Sequence, residues 1–316
     1  MRVGTSPSPY RRLPVRAPDG IVVFWLFIAL VACVSEAPAR SDADRAGIEV
    51  VDDIGRSVRL PAPAQRIVSL IPGRTDIILA LGAADRLVAR TRYDEDARIA
   101  DLPSLGDALT PSVEWLAMQK PDLVIAWPDR QSRSIVMRII ELGIPVYASD
   151  VESIGDARTS IVEIGAMLGL ETRADSLVGR LDAVLDSVRM HVPAGSTPSV
   201  LYLIGLDPPQ AAGPGTFIDE LIDVAGGTNI LADAPVLWPS VSVEDVLARQ
   251  PDVIIVSTAT EVPARIIENL RSQPGWRDMM AVVAGRVHVV DANVMNRPGP
   301  ALIDAVRILA DLIYAQ

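Results

Sequence analysis

The chain repeats itself once. Pro111-Ser112-Val113-Glu114-Trp115-Leu116-Ala117-Met118-Gln119-Lys120-Pro121-Asp122-Leu123-Val124-Ile125-Ala126 aligns without a gap on Val241-Ser242-Val243-Glu244-Asp245-Val246-Leu247-Ala248-Arg249-Gln250-Pro251-Asp252-Val253-Ile254-Ile255-Val256, 130 residues later. The two copies share Ser, Val, Glu, Pro, Asp and Ile at matching places, and most other pairs are apolar for apolar. Each copy has the same grammar. A Ser able to cap a helix comes first, an acid follows in the first turn, and a short helix runs on from it. A Pro-Asp turn stops that helix and delivers the chain into a β-branched run of strand length. A repeat can also mean a solenoid, but two copies this far apart suit two similar lobes better.

The remaining segments fit that frame. Ile48–Leu60 reads as two short alternating strands joined at Asp53–Gly55. Arg66–Leu70 is a buried strand that runs through Ile71-Pro72-Gly73-Arg74 into a helix over Thr75–Leu81, stopped by Gly82. Leu87–Thr91, Leu123–Trp127 and Val146–Ala148 are further strands separated by helical or loop sequence, the pattern of a parallel α/β sheet. From Ile154 to His191 no strand-like run occurs. Leu177, Leu181, Val184, Leu185 and Val188 mark one face of a long helix there. The second half has strand Ser199–Ile204, a glycine-bearing loop Gly205–Gly215, helix Phe217–Ala225, the repeated unit, strand Arg286–Asp291 and a last helix Ala301–Tyr314. The expectation is an α/β protein of two lobes with mainly parallel sheets, residues 48–168 and 194–316, bridged by a single long helix over 169–193.

The 316 residues are 49% hydrophobic and 22% charged, enough for two ordinary cores. Formal charge is −11, and without residues 1–32, which carry Arg2, Arg11, Arg12, Arg16 and Asp19, 25 basic side chains face 39 acidic ones. Such a surface repels nucleic acid and anionic lipid headgroups. Residues 1–32 have an Arg-rich start followed by the apolar run Ile21–Ala32, the layout of an export signal and too short to span a membrane. The run ends Leu30-Val31-Ala32-Cys33, which resembles the lipobox of bacterial lipoproteins, in which the Cys is lipidated and becomes the mature N-terminus. Cys33 is the only cysteine, so no disulfide forms within the chain. Residues 33–47, rich in Ala, Ser and Asp beyond that Cys, read as a flexible linker.

From Ile48 onward the chain resembles the cobalamin and ferric-chelate substrate-binding proteins of ABC importers. The segments that carry the likeness are Asp52-Asp53-Ile54-Gly55-Arg56, Arg66-Ile67-Val68-Ser69-Leu70, Pro121-Asp122-Leu123-Val124-Ile125, and Gly275-Trp276 through Gly285-Arg286-Val287. Leu123–Trp127, Leu206-Asp207-Pro208-Pro209 and Leu237-Trp238-Pro239-Ser240-Val241-Ser242 are most similar to the cobalamin binders. The resemblance implies a monomer with its ligand held between the lobes, and partners in a permease dimer and its ATPase subunits. The cargo it implies is cobalamin, with a ferric siderophore or haem as the alternative, and no cofactor. A lipid anchor would be the membrane attachment.

By position the resemblance assigns ligand contacts to Tyr93, Trp127 and Trp238, with Arg297 as a polar contact. Trp supplies the largest rigid apolar face for a flat macrocycle, although each Trp can instead fold back onto its own lobe. Tyr93, in a loop with Asp94, Glu95 and Asp96, can stack, ligate a haem iron or face solvent. Trp276 belongs to a segment common to the family and is expected in the core, and Trp115 in core or rim. Arg74, read as lying in the loop after the first lobe strand, is a further candidate for an anionic group, at a point where the family commonly has a small residue. Glu114 and Glu244 match the glutamates with which the cobalamin binder docks into arginine pockets of its permease. Glu–Arg pairs are directional, and two of them register a dimer. An acid in a helix's first turn is also favourable with no partner at all.

Other classes fare worse on the residues. A zinc or manganese carrier needs several converging His and carboxylate ligands, and only His191 and His288 exist. Neither sits in a cleft loop, so no Ser–His or Cys–His pair is evident, and no Gly-Lys-Ser/Thr phosphate loop appears. Asp94 and Asp107 can be imagined as a general acid and base, but loop acids are usually solvated. A non-transport surface lipoprotein is the reading left from another class.

Overall fold

The computed structural model describes residues 47–128, 132–195 and 197–315; the expected signal segment and Cys33 lie outside them. A small antiparallel ribbon, β1 (Ile48–Val51) with β2 (Ser57–Leu60), comes first, as the alternation predicts. The N-terminal lobe then lays down β3 (Ile67–Ser69), α1 (Pro72–Ala80), β4 (Leu87–Ala89), α2 (Val113–Met118), β5 (Leu123–Ala126), α3 (Arg133–Glu141) and β6 (Val146–Ala148). Its sheet has the order β4-β3-β5-β6, and all three pairings are parallel. Strands buried on both faces explain the unbroken apolar runs: Leu123–Ala126 is buried throughout.

Two helices join the lobes, α4 (Ile154–Leu168) and α5 (Glu171–His191). A capping box on Ser153 and Asp156 starts α4, and Gly169, at φ +65°, ends it in the left-handed conformation that glycine adopts without strain. The chain therefore doubles back, and α4 and α5 pack against one another. Ile161, Ile164 and Met167 of α4, with Leu177 of α5, share the core of the N-terminal lobe. Ile154 and Ala157, with Leu181 and Leu185, share the core of the C-terminal lobe. The long helix read from the sequence is thus reinforced by a second one, and both bury side chains in each lobe.

The C-terminal lobe contains β7 (Ser199–Leu206), β8 (Pro209–Ala211), α6 (Phe217–Val224), β9 (Thr228–Asn229), α7 (Val243–Arg249), β10 (Val253–Thr258), α8 (Pro263–Ser272), α9 (Met280–Val283), β11 (Val287–Asp291), α10 (Ala292–Met295) and α11 (Leu302–Ile313). The sheet order is β11-β10-β7-β8, with β9 parallel to the start of β7 and β8 antiparallel to its end. The order β9-β7-β10-β11 repeats β4-β3-β5-β6 of the first lobe. Where the sequence reads a loop over 205–215, β7 continues to Leu206 and turns at the cis Asp207–Pro208 peptide into β8. Gly and Pro there punctuate a tight reversal, a signal that periodicity does not separate from a loop.

The sequence repeat is reproduced in the local structure of both lobes. Ser112 caps α2 by accepting from the Trp115 N–H, and Ser242 caps α7 by accepting from the Asp245 N–H. Among the described residues, Lys120 and Gln250, 130 positions apart, are the two non-glycine residues with positive φ, at +50° and +45°. Asp122 then accepts from the N–H groups of Gln65 and Arg66 at 2.9 Å each, and Asp252 accepts from the N–H of Ser199 at 2.8 Å. In each lobe the Asp of the Pro-Asp turn ties one strand's entry to its neighbour's.

Candidate functional site

A cavity of about 360 Å³ lies between the lobes at the carboxyl ends of both sheets. Parallel α/β sheets expose their loops there, which is where ligands of such folds bind. From the N-terminal lobe come the turn from β3 into α1, Tyr93 beyond β4, and Trp127 immediately after β5. From the other lobe come Phe217, the first residue of α6, and the segment from Ala292 to Pro298 after β11. At 360 Å³ the space is near the low end for ligand pockets, about 300–1,000 Å³, so a large macrocycle would stand partly out of it.

Tyr93, Trp127, Arg74 and Arg297 all line this cavity. Trp127 is half-buried, with one side packed on the N-terminal core. Trp238 does not line it. Its ring packs against Phe217, centroids 6.1 Å apart and planes tilted by 60°, so it supports the aromatic that does. Phe217 is 3% exposed and was not singled out by the sequence, where it reads as the first apolar position of a helix. The Gly213-Pro214-Gly215-Thr216 turn before it, which aims the helix start at the cleft, was the available signal.

Tyr93 is 40% exposed and embedded in a polar triad. Arg92 donates to its phenol oxygen at 2.6 Å, the phenol donates to Asp107 at 3.1 Å, and Arg92 pairs with Asp107 at 2.7 Å. Asp107 is held below the usual carboxylate range by the Leu109 N–H, and further by Tyr93 and Arg92. Asp94 is 3% exposed and closes its own turn, accepting from the Thr91 N–H and hydroxyl at 2.7 Å. The two acids therefore serve loop structure.

The arginines join the lobes. Arg297 donates through Nη2 to the Tyr93 carbonyl at 2.7 Å and to Asn293 Oδ1 at 2.6 Å, and its Nη1 lies 3.6 Å from Asp76. Burial raises the Asp76 carboxyl above its ordinary range, with Arg297 opposing the shift. Arg74 lies in the first turn of α1 rather than in a loop, because Pro72 starts that helix one turn earlier than the periodicity indicates. It is 2% exposed, donating to Ser149 at 2.8 Å and to the Pro298 carbonyl at 2.9 Å. Burial lowers its pKa to about 10.

Glu114 and Glu244 are both exposed, in the first turns of α2 and α7. Glu114 pairs with Arg138 of α3 at 2.6 Å; its own backbone N–H and Arg138 hold the carboxyl below the usual range. Trp276 is in the C-terminal core at 3% exposure, as expected. Trp115 packs partly buried against the N-terminal core. Among the described residues, no group of three or more His, Cys, Asp or Glu is placed to hold a metal ion.

The family model described as periplasmic binding protein matches residues 67–294. The chain belongs to the periplasmic binding protein family. The ABC transporter substrate-binding lipoprotein YvrC of Bacillus subtilis, itself uncharacterized, is 30% identical over 300 residues, 91% of this chain and 93% of the relative. The periplasmic vitamin B12-binding protein BtuF of Vibrio cholerae is 28% identical, with a TM-score of 0.67 over 79% of this chain and 97% of that one. The periplasmic haem-binding protein RhuT of Roseiflexus, in its apo form, is 27% identical, with a TM-score of 0.67 over 79% and 99%. This periplasmic binding protein is an ABC transporter substrate-binding protein of the vitamin B12 and iron-chelate group, and its relatives are named for binding and transport rather than catalysis. Among the described residues, no helix is long and apolar enough to cross a membrane.

Proposed function

We propose that the chain is the extracytoplasmic binding lipoprotein of an ABC importer, capturing cobalamin between its lobes and delivering it to the membrane permease. The observation that carries this reading is the aromatic pair Trp127 and Phe217, one from each lobe, on a cavity with Tyr93 at its rim. Rigid apolar walls on both lobes suit a broad, mostly apolar macrocycle. Trp238 acts on the ligand side through Phe217, and Arg297 and Arg74 hold the lobes at a separation that fits the ligand. Cys33 carries the lipid, and residues 34–47 tether the folded part.

Delivery uses Glu114 and Glu244. Each stands exposed at the start of a helix that the repeat places equivalently in its lobe, and a permease dimer presents equivalent surfaces to both. ATP hydrolysed by the partner subunits then drives the permease to part the lobes.

A haem cargo has one observation in its favour: Tyr93, a residue type that can ligate haem iron, lines the cavity. Fluorescence titration of the purified full chain with cyanocobalamin, haemin and a ferric hydroxamate, corrected for absorbance, separates the readings. Saturable quenching by cyanocobalamin, weakened in Trp127→Ala, is the expected result. Tight haemin binding lost in Tyr93→Phe, with no response to cyanocobalamin, would move the assignment to haem.

A further inference from the structure

Arg74, Arg92 and Arg297 stand at or beside the inter-lobe cavity and differ in how their charge is met. Arg92 pairs with Asp107 at 2.7 Å, and Arg297 lies 3.6 Å from Asp76. Arg74 lines the cavity at 2% exposure and forms no ion pair among the described residues. Its Nε donates to the Ser149 hydroxyl and its Nη1 to the Pro298 carbonyl, both neutral acceptors, and its Nη2 has no acceptor among the described residues. A buried guanidinium without a counter-ion is costly, and buried charges are ordinarily paired. Burial lowers its pKa to about 10 against the opposing pull of Tyr147, Asp53, Asp150 and Asp156, so these groups do not offset its desolvation. The helix that carries it acts in the same direction. α1 starts at the cavity, with Pro72, Gly73 and Arg74 on the wall, no side-chain cap and no acid in its first turn. The partial positive charge of that helix start adds to the charge of the guanidinium.

We propose that Arg74 and the start of α1 form an anion subsite at the floor of the cleft, taking a phosphate or carboxylate group carried by the ligand's macrocycle. The inference rests on the binding reading above and deepens it, because it names a group by which the ligand is held besides its ring. Two macrocycles carry such a group: a cobalamin has a phosphodiester in its nucleotide loop, and a haem has propionates. In both, anionic oxygens accept from Arg74 Nη2, the strong, charge-assisted kind of hydrogen bond. Asp150 lies on the same cavity, exposed, and its carboxylate accepts no hydrogen bond among the described residues. It repels the incoming anion and so weakens the subsite without occupying it. An Arg74 that only tied the lobes through Pro298 would affect charged and neutral ligands alike.

The test is a calorimetric titration of the full chain with two matched pairs: dicyanocobinamide and its phosphate ester, and haemin dimethyl ester and haemin. In the pair whose ring binds, the anionic member is expected to bind about 10- to 100-fold tighter, the range of a hydrogen bond to a charged group. Which pair responds distinguishes a corrinoid phosphate from a haem propionate as the source. The gap is expected to close in Arg74→Gln and to widen in Asp150→Asn. Equal affinities within the pair that binds overturn the subsite and leave the ring's binding intact, and a gap that survives in Arg74→Gln overturns it too. If Arg74→Gln does not fold, Asp150→Asn decides: tightening confined to the anionic member sustains the subsite, and an equal change in both members sinks it. If neither ring binds, the cargo reading fails and the subsite is read from inorganic phosphate alone. The rise in melting midpoint that phosphate produces at matched ionic strength is then expected to be larger in Asp150→Asn than in wild type, and equal rises sink the subsite.

Discussion

Replacing Trp127 by alanine separates a ligand-binding ring from a core ring. The side chain is half-buried against the N-terminal core, and its remaining surface faces the inter-lobe cavity. If about a quarter of an aromatic area of about 200 Å² faces the ligand, the loss is about 50 Å², or about 1.3 kcal/mol at 25 cal/mol per Å². An oriented stack adds about 1 kcal/mol, so Trp127→Ala is expected to raise the Kd for cyanocobalamin by about 10- to 50-fold. Trp238→Ala acts only through its contact with Phe217, so its effect is expected to be smaller than that of Trp127→Ala. The assay is isothermal titration of each variant below its melting temperature, with thermal unfolding measured alongside. Truncating a half-buried ring also costs about 2 kcal/mol of fold stability, which the melt reports independently. An unchanged Kd for Trp127→Ala, or a larger loss for Trp238→Ala, would refute the assignment of walls.

The docking pair is tested by Glu114→Arg with Glu244→Arg: uptake in cells is expected to be abolished while the ligand Kd is unchanged, and normal transport would end the docking claim. Asp122→Ala removes the bonds it accepts from the Gln65 and Arg66 N–H groups, and Asp252→Ala those it accepts from the Ser199 N–H and hydroxyl. At these solvent-accessible sites each is expected to cost about 1–2 kcal/mol, lowering the melting midpoint by about 3–6 °C, with near-additive effects because the sites are in different lobes. Asp96 sets an acid limit, since Arg98 donates to it from its side chain and backbone and lowers its pKa to about 2. A carboxylate depressed in the folded state stabilises above its unfolded pKa of 3.8 and loses that contribution as pH falls towards 2. The midpoint difference between wild type and Asp96→Asn should therefore be present at neutral pH and vanish across that window.

What the sequence showed and what it hid divide along one physical line. Most of what is internal to a lobe was legible, because periodicity reports burial; the β7–β8 hairpin and the early start of α1 at Pro72 were not. Ser112 and Ser242 cap, Lys120 and Gln250 turn, and Asp122 and Asp252 lash strands, all from sixteen aligned positions. Trp127 and Arg297 were placed near a cleft by the family resemblance, and both line the cavity. Phe217, Asn293 and Asp150 were not, since their meeting depends on how α4 and α5 set one lobe against the other.

Arg74 shows the same division from the opposite side. Its local sequence, Pro72-Gly73-Arg74, specifies a helix start and gives no hint that a guanidinium belongs in a buried site. The charge is tolerated because its partners come from elsewhere: Ser149 at the end of β6, and the Pro298 carbonyl from the far lobe. Gly73 and Gly299 let those two backbones close up, since a Cβ on Gly73 would lie 3.3 Å from the Pro298 oxygen and one on Gly299 would lie 3.1 Å from the Gly73 oxygen. Parting the lobes at this point would strip Arg74 of an acceptor it cannot replace from its own lobe, so the cost of opening falls on the floor of the cleft. The rim, where Arg297 reaches the Tyr93 carbonyl from an exposed side, can exchange that bond for water. Under the cobalamin reading proposed above, a cleft held at Arg74 and yielding at Arg297 would open outward, so that a cavity of 360 Å³ grips one edge of a macrocycle larger than itself.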